Sequence, residues 1–297
     1  MTKGPEFLTI DDREVRPVGY NDVLVHVHGS GVNRADILQR RGSYPAPFGE
    51  PHDVMGLEYA GVIEKVGKGV DTRKIDDRVM GIVGGGGYSE HVVVPANATV
   101  PIPQQIATLE AAAIPEAFFT AYDAIFTRGD LAAGERLLIH AVASGVGTAA
   151  LQLAQWAGAE VIGTSRTAAK LEQAKKLGLG RGVVTNAGWD EDVYDVDVVL
   201  DLVGGRMLES SAKVLRDRGR HVLVGLTAGS IAEIDLGAFL RKRLTLVGTV
   251  LRSRPEGEKH QLARANTQRV VPAFEAGKLA PVVDETIKPG AILAAHK

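Results

Sequence analysis

The chain has 297 residues, 45% of them hydrophobic and 24% charged, which is long enough for two domains with ordinary cores. Its formal net charge of −2 argues against a nucleic-acid footprint or a polybasic membrane surface, and no apolar run approaches the length of a membrane span. The count of 0 cysteines excludes disulfides, thiolate metal sites and cysteine nucleophiles, and it fits a reducing compartment.

The opening MTKGPEFLTIDDREV has no signal-peptide core, so the expectation is a soluble, cytoplasmic protein. Residues 23–28, VLVHVH, alternate as a strand; His26 and His28 share one face of it and read as exposed strand residues, since no third ligand accompanies them. Residues 31–36 predict a helix start, and Tyr44, between Gly42 and Pro45, falls in a loop. Further strands are expected over Val62–Val66, Asp76–Val83 and Tyr88–Pro95. Short strands with Gly and Pro between them indicate an irregular antiparallel β domain over about the first hundred residues.

From Leu109 the pattern turns helical, with Pro115 breaking it into two. A strand over Leu137–Ala141 then runs into the small-residue turn Ala143, Ser144, Gly145, Val146 and Gly147, followed by a helix over Thr148–Ala157 and a strand over Glu160–Thr164. This is a βαβ unit of about 30 residues with its small-residue turn at a helix N-terminus, where free amides and the helix dipole can hold a pyrophosphate. An ordinary strand-to-helix turn with glycines for packing gives the same pattern. The ribose end refines the dinucleotide reading: an acidic residue roughly 20 residues after the glycines would suit NAD, but the chain offers Thr164, Ser165, Arg166 and then Lys170. Hydroxyls and cations favour the 2′-phosphate of NADPH, although a solvated helix start would carry the same residues.

The rest reads as a parallel α/β half: a helix over Ala168–Leu177, a strand near Val183, a buried strand over Val196–Leu202 and a helix over Met207–Leu215. Strands over His221–Val224 and Leu244–Val250 follow. Small residues at strand ends place Val203, Gly225 and Leu226 on the cofactor side. His140, in a buried strand, reads as a packed core histidine. The Leu244–Val250 strand would leave a hydrophobic sheet edge, so a homodimer through that edge is expected.

Five motifs, GVNRAD (31–36), IPEAFFTA (114–121), SGVGTAA (144–150), DLVGG (201–205) and LRSRP (251–255), span nearly the whole chain, and it resembles the zinc-independent quinone oxidoreductases, the zeta-crystallin-like branch of the medium-chain dehydrogenase/reductase superfamily. The resemblance implies an α/β fold in which a doubly wound Rossmann domain (114–252) accompanies a GroES-like irregular β domain (1–113 and 253–297), with NADPH and substrate in the cleft between. It also implies no metal: zinc-dependent relatives place Cys where this chain has Asn33 and a His-Glu pair where it has Leu57-Glu58.

The implied chemistry is hydride transfer from NADPH to a quinone or enone. Asn33 and Tyr44 would hydrogen-bond the acceptor, and Thr120 would contact the cofactor. Ser144, Gly145, Val146 and Gly147 would bind the pyrophosphate, and Lys170 the 2′-phosphate, while Gly225, Leu226 and Leu251 would flank the nicotinamide. Family members usually carry a further strand before Met1 and a helix and strand after His296, so a truncated or a compact homologue is expected. Two other readings stay open: a 2-enoyl-thioester reductase, with Arg34, Arg40 and Arg41 as a basic entry for a phosphorylated carrier, and a non-enzymatic NADPH-binding protein.

Overall fold

The computed structural model describes residues 8–186 and 188–296; the first seven residues of the leader reading, Ala187 and Lys297 lie outside it. The chain divides into two units, one running to Phe119 and resuming at Leu251, the other comprising Thr120–Val250.

In the first unit, β1 (Asp22–Gly29), β2 (Glu58–Val66), β3 (Arg78–Ile82), β4 (His91–Pro95) and β5 (Val100–Pro101) make an antiparallel sheet ordered β4-β1-β2-β3-β5. Val23 and Val25 join Tyr59, Ile63, Val79, Val92 and Val94 in its core, while His26 on the same strand stays exposed, so the alternation in the sequence is the alternation of faces. β2 begins at Glu58, four residues before the expected Val62, because Glu58, Tyr59 and Ala60 pair with Ile82, Gly81 and Met80. A buried glutamate inside the strand hid that start. β4 begins at His91 and not at Tyr88, since Gly86–Ser89 closes a turn through the Ser89 amide and the Gly86 carbonyl. The helices α1 (Arg34–Arg40) and α2 (Thr108–Ala111) complete this part, and Pro115 opens the next helical stretch, Pro115–Phe119.

The second unit starts with α3 (Thr120–Tyr122) and carries a six-stranded, all-parallel sheet of β6 (Arg136–Ile139), β7 (Glu160–Ser165), β8 (Arg181–Val184), β9 (Val196–Asp201), β10 (Leu215–Leu223) and β11 (Thr245–Gly248). The order is β11-β10-β9-β6-β7-β8: the chain walks outward from β6 to β8, then crosses back to β9 and walks the other way. That is a doubly wound sheet with its topological switch point between β6 and β9. β9 is buried along its whole length, as a strand covered on both faces must be, even though it holds Asp197 and Asp201. Around the sheet lie α4 (Gly145–Trp156), α5 (Ala168–Lys175), α6 (Met207–Val214) and α7 (Leu236–Lys242).

Two features of this unit escape the sequence pattern. β10 starts at Leu215, six residues before the expected His221, with a register jump between Leu215 and Arg220 across the charged run Arg216–Arg220. The helix α7 buries none of its residues, so no apolar stripe announces it; its local sign is Asp235, whose carboxylate accepts the Ala238 amide at 3.1 Å as an N-cap. From Leu251 the first unit resumes with α8 (Glu256–Ala265), α9 (Val271–Glu275) and α10 (Ile292–Ala295). Leu262, Asn266, Val270 and Phe274, four residues apart, are all buried along this helical run.

Candidate functional site

Strand β6 ends at Ile139, and the chain passes through Ala141, held in the left-handed region at φ 54°, to Ser144. Ser144 N-caps α4: its Oγ accepts the Gly147 amide at 3.2 Å and its carbonyl accepts the Thr148 amide at 2.8 Å. The Gly145 and Val146 amides are left without a protein acceptor among the described residues, at the positive end of a helix of 12 residues. A Cβ on Gly147 would sit 2.6 Å from the carbonyl oxygens of both Ala141 and Val142, so only glycine lets α4 start this close to the strand end. A Cβ on Gly145 would meet nothing within 4 Å; that side of the turn is open. Free amides, an open face and the helix dipole together fit a dinucleotide pyrophosphate.

At the end of β7, Ser165 is buried and Arg166 and Lys170 are exposed, with no carboxylate among residues 164–170. Thr164 faces inward instead: its Oγ1 lies 2.9 Å from His140 Nδ1. The second ring nitrogen of His140 lies 2.8 Å from Ser211 Oγ, whose proton goes to the Met207 carbonyl. Ser211 therefore accepts from Nε2–H, and Nδ1 accepts from Thr164. Burial holds the imidazole at about 4, so it stays neutral and is a core histidine.

The remaining predicted cofactor residues of this unit lie at or near the ends of β9 and β10, except Thr120, which is buried at the start of α3. Val203 donates its amide to Asp201 Oδ1 at 2.8 Å. The end of β10 comes so close to that of β9 that a Cβ on Gly225 would lie 2.4 Å from the Leu202 carbonyl. Leu226 beside it is half exposed. Leu251 is buried in the first unit.

The first unit brings Asn33 into a polar cluster. Asn33 N-caps α1; its backbone amide donates to Asp36 Oδ2 at 2.8 Å and its Nδ2 donates to Glu58 Oε1 at 2.6 Å. The other Glu58 oxygen accepts the Glu116 amide at 2.8 Å, and the Glu58 carbonyl accepts Ser30 Oγ at 2.7 Å. One buried carboxyl thus ties the loop before α1 to the helical stretch opened by Pro115. Burial, and then the neighbouring Glu116, push Glu58 up to about 8; burial raises Glu116 to about 7 and Asp36 to about 6.

Tyr44 stands over a guanidinium. Arg252 lies 5.1 Å from its ring centroid and donates to the Tyr44 carbonyl at 2.9 Å, the Gly84 carbonyl at 2.8 Å and Gln39 Oε1 at 2.7 Å. Burial first, and the Glu116 charge second, lift the Tyr44 hydroxyl to about 12, so it keeps its proton across the neutral range. Arg40 is buried as well, which leaves Arg34 and Arg41 as the exposed members of the predicted basic entry. The sequence reading missed Asp36, Glu116, Arg252, Asp201 and His221; the available signal was an ionisable residue inside, or at the end of, an apolar run.

Residues 19–104 match the family of the alcohol dehydrogenase GroES-like domain, and residues 145–266 that of the zinc-binding dehydrogenase. The chain is 33% identical to the quinone oxidoreductase of Rattus norvegicus over 273 residues, 88% of this chain and 81% of that one. It is 37% identical over 214 residues to polyketide synthase GfsB of Streptomyces halstedii, covering 71% of this chain but only 4% of the synthase. Among solved structures, CurK enoyl reductase superposes with a TM-score of 0.86 at 28% identity, covering 99% and 92% of the two chains. Escherichia coli quinone oxidoreductase complexed with NADPH gives 0.84 at 26% identity, covering 100% and 93%.

Zinc, implied by one family description, does not fit these residues. The chain has 0 cysteines, Asn33 turns toward Glu58 an amide N–H that has no lone pair to give a metal, and among the described residues no three histidine or acidic side chains form a metal-holding group. The chain belongs to the zinc-independent quinone oxidoreductases of the medium-chain dehydrogenase/reductase superfamily, enzymes that work with a pyridine nucleotide.

Proposed function

We propose that this enzyme uses NADPH to reduce a quinone or a similar conjugated carbonyl. The observation that carries the cofactor choice is the end of β7, where Ser165, Arg166 and Lys170 offer a hydroxyl and two cations to a 2′-phosphate and no carboxylate to a ribose diol. Likeness to the rat quinone oxidoreductase supports the acceptor.

Bound there, NADPH would supply the hydride. The turn Ser144, Gly145, Val146 and Gly147 would hold the pyrophosphate, with the free amides of Gly145 and Val146 and the dipole of α4 making the contacts. Thr120, Val203, Gly225 and Leu226 would orient the nicotinamide end. Asn33, anchored by Glu58, retains one amide hydrogen for the acceptor oxygen. Tyr44 keeps its proton across the neutral range and could share it with an acceptor oxygen on which charge developed. A conjugated acceptor spreads the charge over its π-system, so these two donors suffice where a simple ketone would demand a stronger electrophile.

A second reading, reduction of a 2-enoyl thioester, is favoured by the likeness to CurK enoyl reductase and to a segment of a polyketide synthase. Arg34 and Arg41 would then face the phosphate of the carrier. The deciding experiment follows NADPH consumption with an ortho-naphthoquinone, para-benzoquinone, an alkenal and crotonyl-CoA, each repeated with NADH. Quinone turnover with NADPH preferred is the expected result. Turnover of the thioester alone moves the function to enoyl reduction, and tight NADPH binding with no turnover moves it to binding alone.

We also propose a homodimer through the free edge of β11. Leu246 and Val250 on or beside that edge and Leu236 and Leu240 on α7 are all exposed, an apolar surface that pairing with a second copy would cover. Among the described residues, no helix is long and apolar enough to cross a membrane.

A further inference from the structure

We propose that the buried pair Asp201 and His221 positions the nicotinamide half of the cofactor without touching it, by fixing the loops that leave β9 and β10. This rests on the NADPH reading above. Both side chains are fully buried, and His221 Nε2 lies 3.0 Å from Asp201 Oδ2. The other carboxylate oxygen, Oδ1, accepts two consecutive amides, Val203 at 2.8 Å and Gly204 at 2.9 Å. The backbone carbonyl of the same residue accepts the Val224 and Gly225 amides at 2.8 and 3.1 Å. One residue at the end of β9 therefore sets the course of both outgoing loops, and the Ala228 amide closes the lacing on the Val203 carbonyl at 2.8 Å.

These loops lie on the half of the sheet that follows the switch point, away from β7 and its 2′-phosphate residues. Two consecutive glycines, Gly204 and Gly205 at φ 70° and 56°, leave this backbone free enough to need holding. Burial works to raise the Asp201 carboxyl, but the bond from His221, the nearby imidazoles and the Gly204 amide outweigh it and hold the group below its usual range. It stays an acceptor, which is what two amides and an imidazole N–H require of it. His221 supplies the donor to Oδ2, and it sits on β10, so the pair also ties the two strands together.

The test separates the two ends of the cofactor. Dissociation constants are measured for NADPH and for adenosine 2′,5′-bisphosphate, which carries only the adenine end, on the wild type and on Asp201→Ala, His221→Phe and His221→Gln. Asp201→Ala and His221→Phe should weaken NADPH about tenfold and leave the bisphosphate within about twofold. His221→Gln, which keeps an N–H donor, should restore most of the NADPH affinity. Equal weakening of both ligands, or no change in either, overturns the positioning role; should Asp201→Ala not fold, the two His221 variants carry the same comparison. A wild type that binds the bisphosphate but not NADPH also overturns it, whereas one that binds neither removes the cofactor reading itself and the role with it.

Discussion

The two units bury ionisable clusters of opposite character. In the second, Asp201 is held below its usual range and spends its charge on two backbone amides and an imidazole, while His140 is held neutral between two hydroxyls. In the first, Asp36, Glu58 and Glu116 are all pushed up, and the guanidinium of Arg252 only partly offsets this for Asp36 and Glu116. The chemistry proposed above for each accounts for the difference. A dinucleotide cradle needs fixed backbone donors, and a settled charge deep in the fold organises them. An acceptor that gains a hydride needs a proton, and groups that hold protons near neutrality suit that side.

The largest expected effect breaks the cradle. Gly147→Ala puts a methyl 2.6 Å from two backbone carbonyl oxygens and displaces the start of α4. Overpacking of this kind costs up to about 3 kcal/mol, so NADPH affinity should fall by about a hundredfold. Unchanged affinity in a fluorescence titration would remove the loop from the cofactor site. A smaller effect sharpens the same half: Arg166→Ala combined with Lys170→Ala removes two cations from the 2′-phosphate position. Losing charge-assisted bonds of about 1.5–3 kcal/mol should cut the preference for NADPH over NADH at least about tenfold, with NADH affinity unchanged. Equal loss for both coenzymes would place these residues elsewhere. Smaller again, Leu246→Lys puts a charge on the β11 edge and should shift a dimer toward monomer in light scattering without altering the monomer's fold.

Much of the second unit could be read from the sequence because its parallel strands, buried on both faces, read as apolar runs of the right length, and because Ser144–Gly147 has few other ways to join a strand to a helix. The first unit was legible only as alternation. Glu58 and Asp36 look like surface residues in a linear pattern; nothing local says that Asn33, 25 residues from Glu58, will donate to it. Arg252 is harder still, since its three acceptors at Tyr44, Gly84 and Gln39 lie about 170 to 210 residues back along the chain. Such pairings come from tertiary closure, which periodicity does not encode. The same holds for β10, whose charged residues from Arg216 to Arg220 mask a strand that pairs with β9 at Leu215 and with both β9 and β11 from Arg220.

Opposite shifts should give the two clusters opposite responses to pH, and Glu58 allows that contrast to be tested. Its carboxyl titrates at about 8 in the fold against 4.5 ordinarily, so between those values the folded chain holds a proton that the unfolded chain releases. Stability from this group is therefore greatest at the acid end of the window and declines as pH rises, by up to about 1.4 kcal/mol per pH unit. Glu116 and Asp36 act in the same direction over lower windows. Asp201 acts in the other: its contribution is present above the ordinary carboxylate value and is lost as pH falls through its lowered one. Glu58→Gln keeps an oxygen for the Asn33 amide but turns an N–H toward the Glu116 amide, so absolute stability at the acid end should drop by about 1 kcal/mol. The slope carries the comparison. In urea unfolding repeated between pH 5 and 8, the wild type should weaken as pH rises and the variant should weaken less steeply, by about the share of one group. Parallel slopes would mean that Glu58 is already ionised in the fold, held so by its two N–H donors, and the first unit would then store its protons on Glu116 and Asp36 alone.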